Sequence, residues 1–579
     1  MTQSPGRQCA VSVGGVTGPL AGVSTLLAAV ICWPLFGGYL LHRDAVATPR
    51  SPLTAAAFGL DGAAPRAVPQ DGFLALVSPV VDGGFLVAAI LFLTLLAAGI
   101  GYGRLAARLL PSTGTAGAVA AAIVAIWNPF VAERLLQGHW SLLTGYAALG
   151  WLVPAVLRLG PGAGVAPWAG VAGLFAVAGL TPTGSVLGLL IALVTVAGLP
   201  GHRLPTLAGL VPVWIVTALP WLVAAAVSDG AADGVGGGQA FAARAEPGLG
   251  TFGSLLGLGG IWNAEAVPAS RAYWWAAVAT GCLLLVVAGG CAVLWRRRET
   301  VPPTVTVLAV LAVVTLVAVA AAGTGAGLEM VDTLLARVPG AGLLRDTQKY
   351  LALAVPFVAV AVAAAAGWLR TWVPTGFAVA VIALLVIAPL PDLAWGAGGK
   401  VRPVQYPDDY AAVTDLIGSD DTAVAVWPAT PMRHYRWNHG PSLSPLPRML
   451  DAPVLLGGEL TVDDQTLDRP AGRTGQVSEV LDRGGAPEEL ARLGVGWVVV
   501  EADGAPQQLA AQVPPVFQGA DLTVYRIDGA QSPPAPGSGA WVAAGVAHGL
   551  WLLCLLAGPV AQLTSRRTRS KPAPAAGQE

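Results

Sequence analysis

The chain has 579 residues, 55% of them hydrophobic and 11% charged, with a mean hydropathy of +0.66 and a formal net charge of −1. Soluble domains carry about a quarter charged residues, so a soluble enzyme, a nucleic-acid binder and a disordered scaffold are excluded together, and the chain reads as a polytopic α-helical membrane protein. Four of the five cysteines fall inside apolar segments and no Walker or dinucleotide glycine pattern is present, so no disulfide framework, metal site or cofactor is expected.

Residues 1–19 form a tail with one Arg and no small-residue cleavage site, so the first apolar run reads as a retained helix. Runs of about 20 apolar residues bounded by charge, Pro or Gly mark membrane spans. Twelve are predicted, near 20–41, 85–106, 115–132, 141–158, 166–181, 184–200, 205–227, 273–295, 303–322, 350–369, 373–394 and 540–562. The pair over 166–200 is broken only at Thr181 to Gly184 and reads either as two short spans or as one re-entrant hairpin.

Lys and Arg bias orients the spans. With the N-terminus inside, the cytoplasmic turns and tails hold 13 basic residues against two acidic, leaving 19 of the 32 basic and 31 of the 33 acidic residues outside. Residues 20–395 then form a transmembrane domain with external loops 42–84, 133–140, 228–272 and 323–349. Composition turns charged and Pro-rich over 396–538, predicting a separate extracytoplasmic α/β domain. Its strand-like runs are Ala423 to Trp427, Trp497 to Glu501 and Leu522 to Ile527, and its helical patterns are Asp408 to Ile417 and Pro487 to Leu493. The last span, 540–562, leads to a basic cytoplasmic tail, 563–579. The reading is of a multi-pass plasma-membrane protein with both termini in the cytoplasm.

Loop one opens LLHRDAVATPRSPL, which puts Asp44 at the outer end of the first helix beside Arg43. A carboxylate partly desolvated there can serve as a general base, its pKa raised by burial against the opposing arginines. It is equally readable as a helix-end charge paired with Arg43. Loop two, NPFVAERLLQGHWSLLTGY, groups Glu133, His139 and Trp140, which could orient acceptor hydroxyls and stack on a sugar face, or form an ordinary interfacial anchor. Further on, RVPGAGLLRDTQKYLALAVP sets Arg345 and Lys349 four apart at a helix start, as a clamp for a lipid phosphate or as snorkelling cations. In the outer domain, WPATPMRHYRWNHGP presents Trp437 among Arg and His residues, either to a glycan or to the domain's own core.

A lone acidic residue just past the first helix, long outer loops, short basic inner turns and an outer C-terminal domain resemble the GT-C superfamily of membrane glycosyltransferases. More narrowly, the chain is similar to actinobacterial proteins related to arabinofuranosyl- and mannosyltransferases and to YfhO-type envelope proteins, over about residues 20–395. The resemblance implies transfer of a sugar from a polyprenyl-phosphate donor to an envelope glycan or glycolipid acceptor. Asp44 would be the base, Arg345, Lys349 and Arg43 would hold the donor phosphate, and Glu133, His139, Trp140 and Trp437 would lie on the acceptor. Many members carry paired acidic residues where Asp44 stands alone. The partners expected are those lipids and glycans and the membrane itself, with no nucleic acid. A lipid-linked sugar flippase and a non-catalytic envelope assembly protein remain as alternatives.

Overall fold

A computed structural model describes residues 13–569, apart from 64, 161, 229–236, 339, 463–464, 468–469, 471 and 533–534. Eight helices are long and apolar enough to cross a membrane, and a bent pair, Thr375–Ile387 with Pro391–Gly399, brings the number to nine. Leu142–Val156, Val165–Ala178 and Pro182–Ala197 are apolar but shorter. A 15-residue helix rises about 22 Å, less than the ~30 Å hydrocarbon core. The twelve predicted spans therefore become eight or nine of full length plus three short apolar helices among the described residues.

Two boundaries move in ways that matter. The first helix is Val13–Cys32, extended by a 3₁₀ turn, Trp33–Gly37, and a strand starts at Tyr39. Asp44 therefore stands at the tip of a hairpin rather than at a helix end. The predicted span 115–132 breaks instead at Trp127 and Asn128, between Gly114–Ile126 and Pro129–Leu136. The residue before a proline is pushed out of the helical region, and Asn128 is extended, at φ −155° and ψ 161°. Its side chain then caps the new helix by accepting from Val131 N at 3.0 Å, while Nδ2 donates to Val124 O and to the Tyr146 hydroxyl.

Exposed Trp33, Tyr273 and Trp274 lie at the helix ends on the Asp44 side, and exposed Trp295, Trp368 and Trp372 at the other ends, as aromatic rings do at two membrane interfaces. Residues 403–527 contain a five-stranded mixed sheet in the order Pro515–Gln518, Thr523–Arg526, Val495–Val500, Ala423–Trp427, Val454–Leu455. Its two central strands pair in parallel, and Val495–Val500 is buried throughout because both faces are covered. Val424, Val426 and Val499 pack on Tyr410, Val413 and Ile417 of the helix Asp408–Ile417. Ala425, Val498 and Val500 face Val477, Leu481, Leu490 and Leu509 on the opposite side. A short strand, Pro403–Val404, pairs antiparallel with Tyr39–His42 and joins this part of the chain to the first hairpin.

The helix Gly83–Leu109 begins at Asp82, whose carboxylate accepts from Gly84 N at 2.9 Å, Phe85 N at 3.1 Å and the Tyr39 hydroxyl at 2.9 Å. Asp82→Ala should lower stability by about 1–2 kcal/mol, read as a fall in the thermal midpoint in detergent, and Asp82→Asn should recover most of it. An unchanged midpoint in Asp82→Ala would show that the cap is dispensable.

Candidate active site

The hairpin Tyr39–His42/Ala45–Val46 is closed by a two-residue turn, Arg43 and Asp44, with His42 opposite Ala45. Arg43 takes φ +50°, as the primed turns of two-residue hairpins require, at a cost of about 1–3 kcal/mol for a residue other than glycine. The surroundings hold it there. Arg43 N donates to Pro441 O at 2.7 Å and Leu443 N donates to Arg43 O at 3.0 Å, both from the outer part of the chain. Asp44 N reaches Gln137 O at 3.3 Å, and buried His42 bonds Leu136 O at 2.9 Å. Gly138, at φ +83°, backs directly onto the turn. A Cβ there would stand 2.5 Å from both Ala45 N and His42 O, so only glycine allows the two loops to meet.

His139 Nε2 and Gln137 Nε2 both bond Asp44 Oδ2, at 2.9 and 3.2 Å. Among the described residues no donor reaches Oδ1, and 42% of the side chain is open to solvent. Arg134 Nη1 donates to His139 Nδ1 at 3.1 Å. A guanidinium can only donate, so Nδ1 is bare and the ring proton sits on Nε2, pointing at Asp44. Arg134 is itself fully buried and grips Asp346 with both terminal nitrogens, at 2.7 and 3.4 Å, and also bonds Gln348 Oε1. Gln348 Nε2 passes on to Glu133 Oε2 at 3.0 Å, and Gly260 N donates to Glu133 Oε1 at 2.9 Å. Gln137 Oε1 accepts from Asn263 at 2.8 Å. Loops distant in sequence are thus tied into one buried polar chain that ends on Asp44.

Partial desolvation by the surrounding loops pushes the Asp44 carboxyl up, as expected from sequence, but the donors His139 and Gln137 and the Lys349 charge outweigh it and hold it at about 2. Burial, then the Lys349 charge, keep His139 below the ordinary histidine range against the pull of Asp44. Buried His42 is held at about 4 by desolvation and the adjacent Arg43 charge.

The remaining candidates fall into two groups. Lys349 reaches Asp346 Oδ2 at 3.8 Å and is part-exposed beside Asp44 and His139. Arg345 lies over the Phe241 ring at 4.2 Å and acts electrostatically on Lys349. The two cations are not an α-helical i,i+4 pair, because Asp346 is non-helical and Thr347–Ala354 is a 3₁₀ helix. Three other expectations change. Glu133 is completely buried with both oxygens bonded, and Trp140 is 2% exposed, so neither reaches an acceptor. Arg43 is tied to Glu265 at 2.6 Å, which joins loop to loop instead of leaving it for a phosphate. Trp437 stacks on Tyr435 at 4.7 Å within a cluster with Tyr406 and Tyr410. The Tyr410 and Tyr435 hydroxyls and Arg433 all converge on buried Glu501.

Sequence reading placed Arg134 and Asp346 next to candidate residues without giving either a role, and missed Gln348 and a second buried pair in which Arg271 Nε bonds Glu246 Oε1 at 2.6 Å. The usable signal was charge flanking apolar runs, since an ion beside a buried segment needs a partner.

No protein-family model matches the chain, and no curated protein matches it. Among solved structures it is similar to the arabinofuranosyltransferase AftD from Mycobacteria, with a TM-score of 0.55 and 17% identity, over 89% of this chain and 40% of that one. Over the matched region the chain shares the fold of that arabinofuranosyltransferase. It spans about 40% of the length of that arabinofuranosyltransferase. ArnT from Cupriavidus metallidurans in the apo state is matched at a TM-score of 0.35 and 14% identity, over 89% of this chain and 99% of that one. Within this fold the Asp44 hairpin and the buried polar chain behind it form the candidate active site.

The histidines give this arrangement a pH signature. As pH falls through ~6.5, the unfolded chain takes up protons that folded His42 and His139 refuse, so stability falls by up to about 1.4 kcal/mol per pH unit for each. The contribution of Asp44, whose folded value is depressed, is present above its unfolded value near 4 and is lost only as pH falls toward 2. Thermal midpoints between pH 7.5 and 5 should therefore drop more steeply for the wild type than for His139→Gln. Parallel curves would contradict a His139 held neutral in the folded chain.

Proposed function

We propose that the protein is a cell-envelope glycosyltransferase that moves a sugar from a polyprenyl-phosphate donor to a glycan or glycolipid acceptor outside the cytoplasm. In this reading both termini are cytoplasmic and residues 396–538 face outward. The observation that carries the proposal is the Asp44 carboxylate itself. Oδ2 is fastened by two donors, Oδ1 is open, and the Lys349 ammonium stands nearby.

The acceptor hydroxyl binds against Oδ1. Its oxygen attacks the anomeric carbon, the carbon–oxygen bond to phosphate breaks, and that electron pair leaves on polyprenyl phosphate, inverting the anomeric centre. The hydroxyl proton passes to Oδ1 and then to water. A carboxylate held near 2 is a weak base, so it takes the proton late, once the attacking oxygen has become acidic through bonding to carbon. Lys349 and Arg345 offset the charge that grows on the leaving phosphate. His139 and Gln137 keep the carboxylate in one orientation, which limits the entropy lost at the transition state. With Glu133 and Trp140 buried, acceptor contacts pass to the exposed rim, where the charges of His434 and Lys400 already reach Glu265.

Asp44→Asn keeps the shape and removes the basicity. With a labelled polyprenyl-phosphate sugar and crude envelope acceptor, it should bind donor normally while transfer falls about 10²- to 10⁴-fold; transfer at the wild-type rate would remove Asp44 from the chemistry. Loss of two charge-assisted contacts in Arg345→Ala with Lys349→Ala should weaken binding of a polyprenyl-phosphate analogue about tenfold or more. Unchanged affinity in that double variant would place the phosphate elsewhere.

A further inference from the structure

At the helix ends opposite Asp44, a groove of about 500 Å³ opens between the ends of Gly83–Leu109, Leu142–Val156 and Pro182–Ala197 and the starts of Arg203–Val227 and Pro303–Ala322. Its walls are apolar, with Leu109, Leu157, Leu199 and Val307, and its charged lining residues are Arg108 and Arg203. Among the described residues no carboxylate lines it. Arg203 Nε donates to Leu199 O at 3.0 Å and Arg108 Nη2 to Leu157 O at 3.5 Å. Each guanidinium is thereby moored to the wall by one N–H, and its other donors remain for an anion. Arg158 stands near enough to Arg108 for the two charges to repel. Cations gathered with no described carboxylate among them lower one another's stability, and a bound anion reverses that effect.

We infer that this groove holds the phosphate headgroup of an anionic phospholipid, with Arg108 and Arg203 on the phosphate and the first acyl carbons along the leucine wall. Charge complementarity selects an anion. The apolar wall, and Leu204 exposed beside Arg203, select one that carries hydrocarbon. Basic pockets between transmembrane helices recognise lipid headgroups by this combination. The site lies at the opposite helix ends from Asp44 and goes beyond the transfer reaction proposed above, so either can fail alone.

The test uses the full chain, delipidated in a neutral detergent, and reads the thermal midpoint on titration with phosphatidylglycerol, phosphatidylcholine or glycerol 3-phosphate. Phosphatidylglycerol should raise the midpoint at lower concentration than phosphatidylcholine, and glycerol 3-phosphate should leave it unchanged. Arg108→Gln with Arg203→Gln should weaken the phosphatidylglycerol response about tenfold and leave the phosphatidylcholine response alone, whereas Arg108→Lys with Arg203→Lys, which keeps the charge, should retain most of it. Equal responses to the two lipids, or a full phosphatidylglycerol response in the glutamine variant, would overturn the proposal. A shift with glycerol 3-phosphate as large as with the lipid would overturn it in favour of a free phosphate. If the glutamine variant does not fold, counting phosphatidylglycerol retained by the wild type and the lysine variant in native mass spectrometry decides the matter, and no retention by the wild type would be contrary.

Discussion

Arg134 is a guanidinium with no access to solvent, and the upper part of the molecule is arranged around satisfying it. An unpaired ion in that position would cost several kcal/mol, and breaking a buried pair costs about 3–5 kcal/mol. Asp346 supplies the counter-charge, Gln348 and His139 take further N–H groups of the two terminal nitrogens, Phe130 covers the guanidinium at 5.4 Å, and Nε alone is left without a partner among the described residues. Each partner is then committed in turn. His139 is left with one tautomer and one direction in which to donate, and that direction is Asp44. A requirement of desolvation deep in the helices thus becomes the orientation of a carboxylate at the surface.

The hairpin that carries Asp44 has little stability of its own, being two short strands with a strained turn. It is held from below by Gln137 and Gly138 and from above by Pro441 and Leu443, while Pro403–Val404 extends it by one strand. This makes the α/β part of the chain a structural component of the site as well as a neighbour. The Glu501 cluster has a matching role. Burial and the Glu501 charge raise the Tyr435 and Tyr410 hydroxyls far above their usual range, so both stay protonated and donate, locking the loop that leads to Trp437, Asn438 and the contacts at Arg43. Asn438 Nδ2 completes the link at Leu41 O, at 3.1 Å.

Much of this was legible in the sequence. The place of Asp44 just past the first apolar run was readable, though as a helix end where the chain forms a hairpin turn, and Ala423–Trp427 and Asp408–Ile417 appear with the predicted limits. Arg108, Arg158 and Arg203, three of the basic residues assigned to one side by loop bias, stand at the same set of helix ends. Pairing was not legible. Arg134 and Asp346 are 212 residues apart, and hydropathy reports that each borders an apolar segment without reporting that the segments meet. Asn128–Pro129 was a local signal that a window of span length averaged away. Arg345 and Lys349 had α-helical spacing, but the backbone turns non-helical at Asp346 and tightens to 3₁₀, which places Asp346 rather than Arg345 against Lys349.

The central claim is that Asp346 and His139 act on transfer as members of one chain, joined through Arg134, that ends on Asp44. A double-mutant cycle on the rate of sugar transfer tests this most directly, with His139→Gln, Asp346→Asn and the two combined, each first shown to be folded in the membrane. The account predicts that the double variant is no slower than the slower single variant, because either change already breaks the chain that runs through Arg134 and His139 to Asp44. Losses that multiply in the double variant would mean that the two residues act independently, and would contradict it.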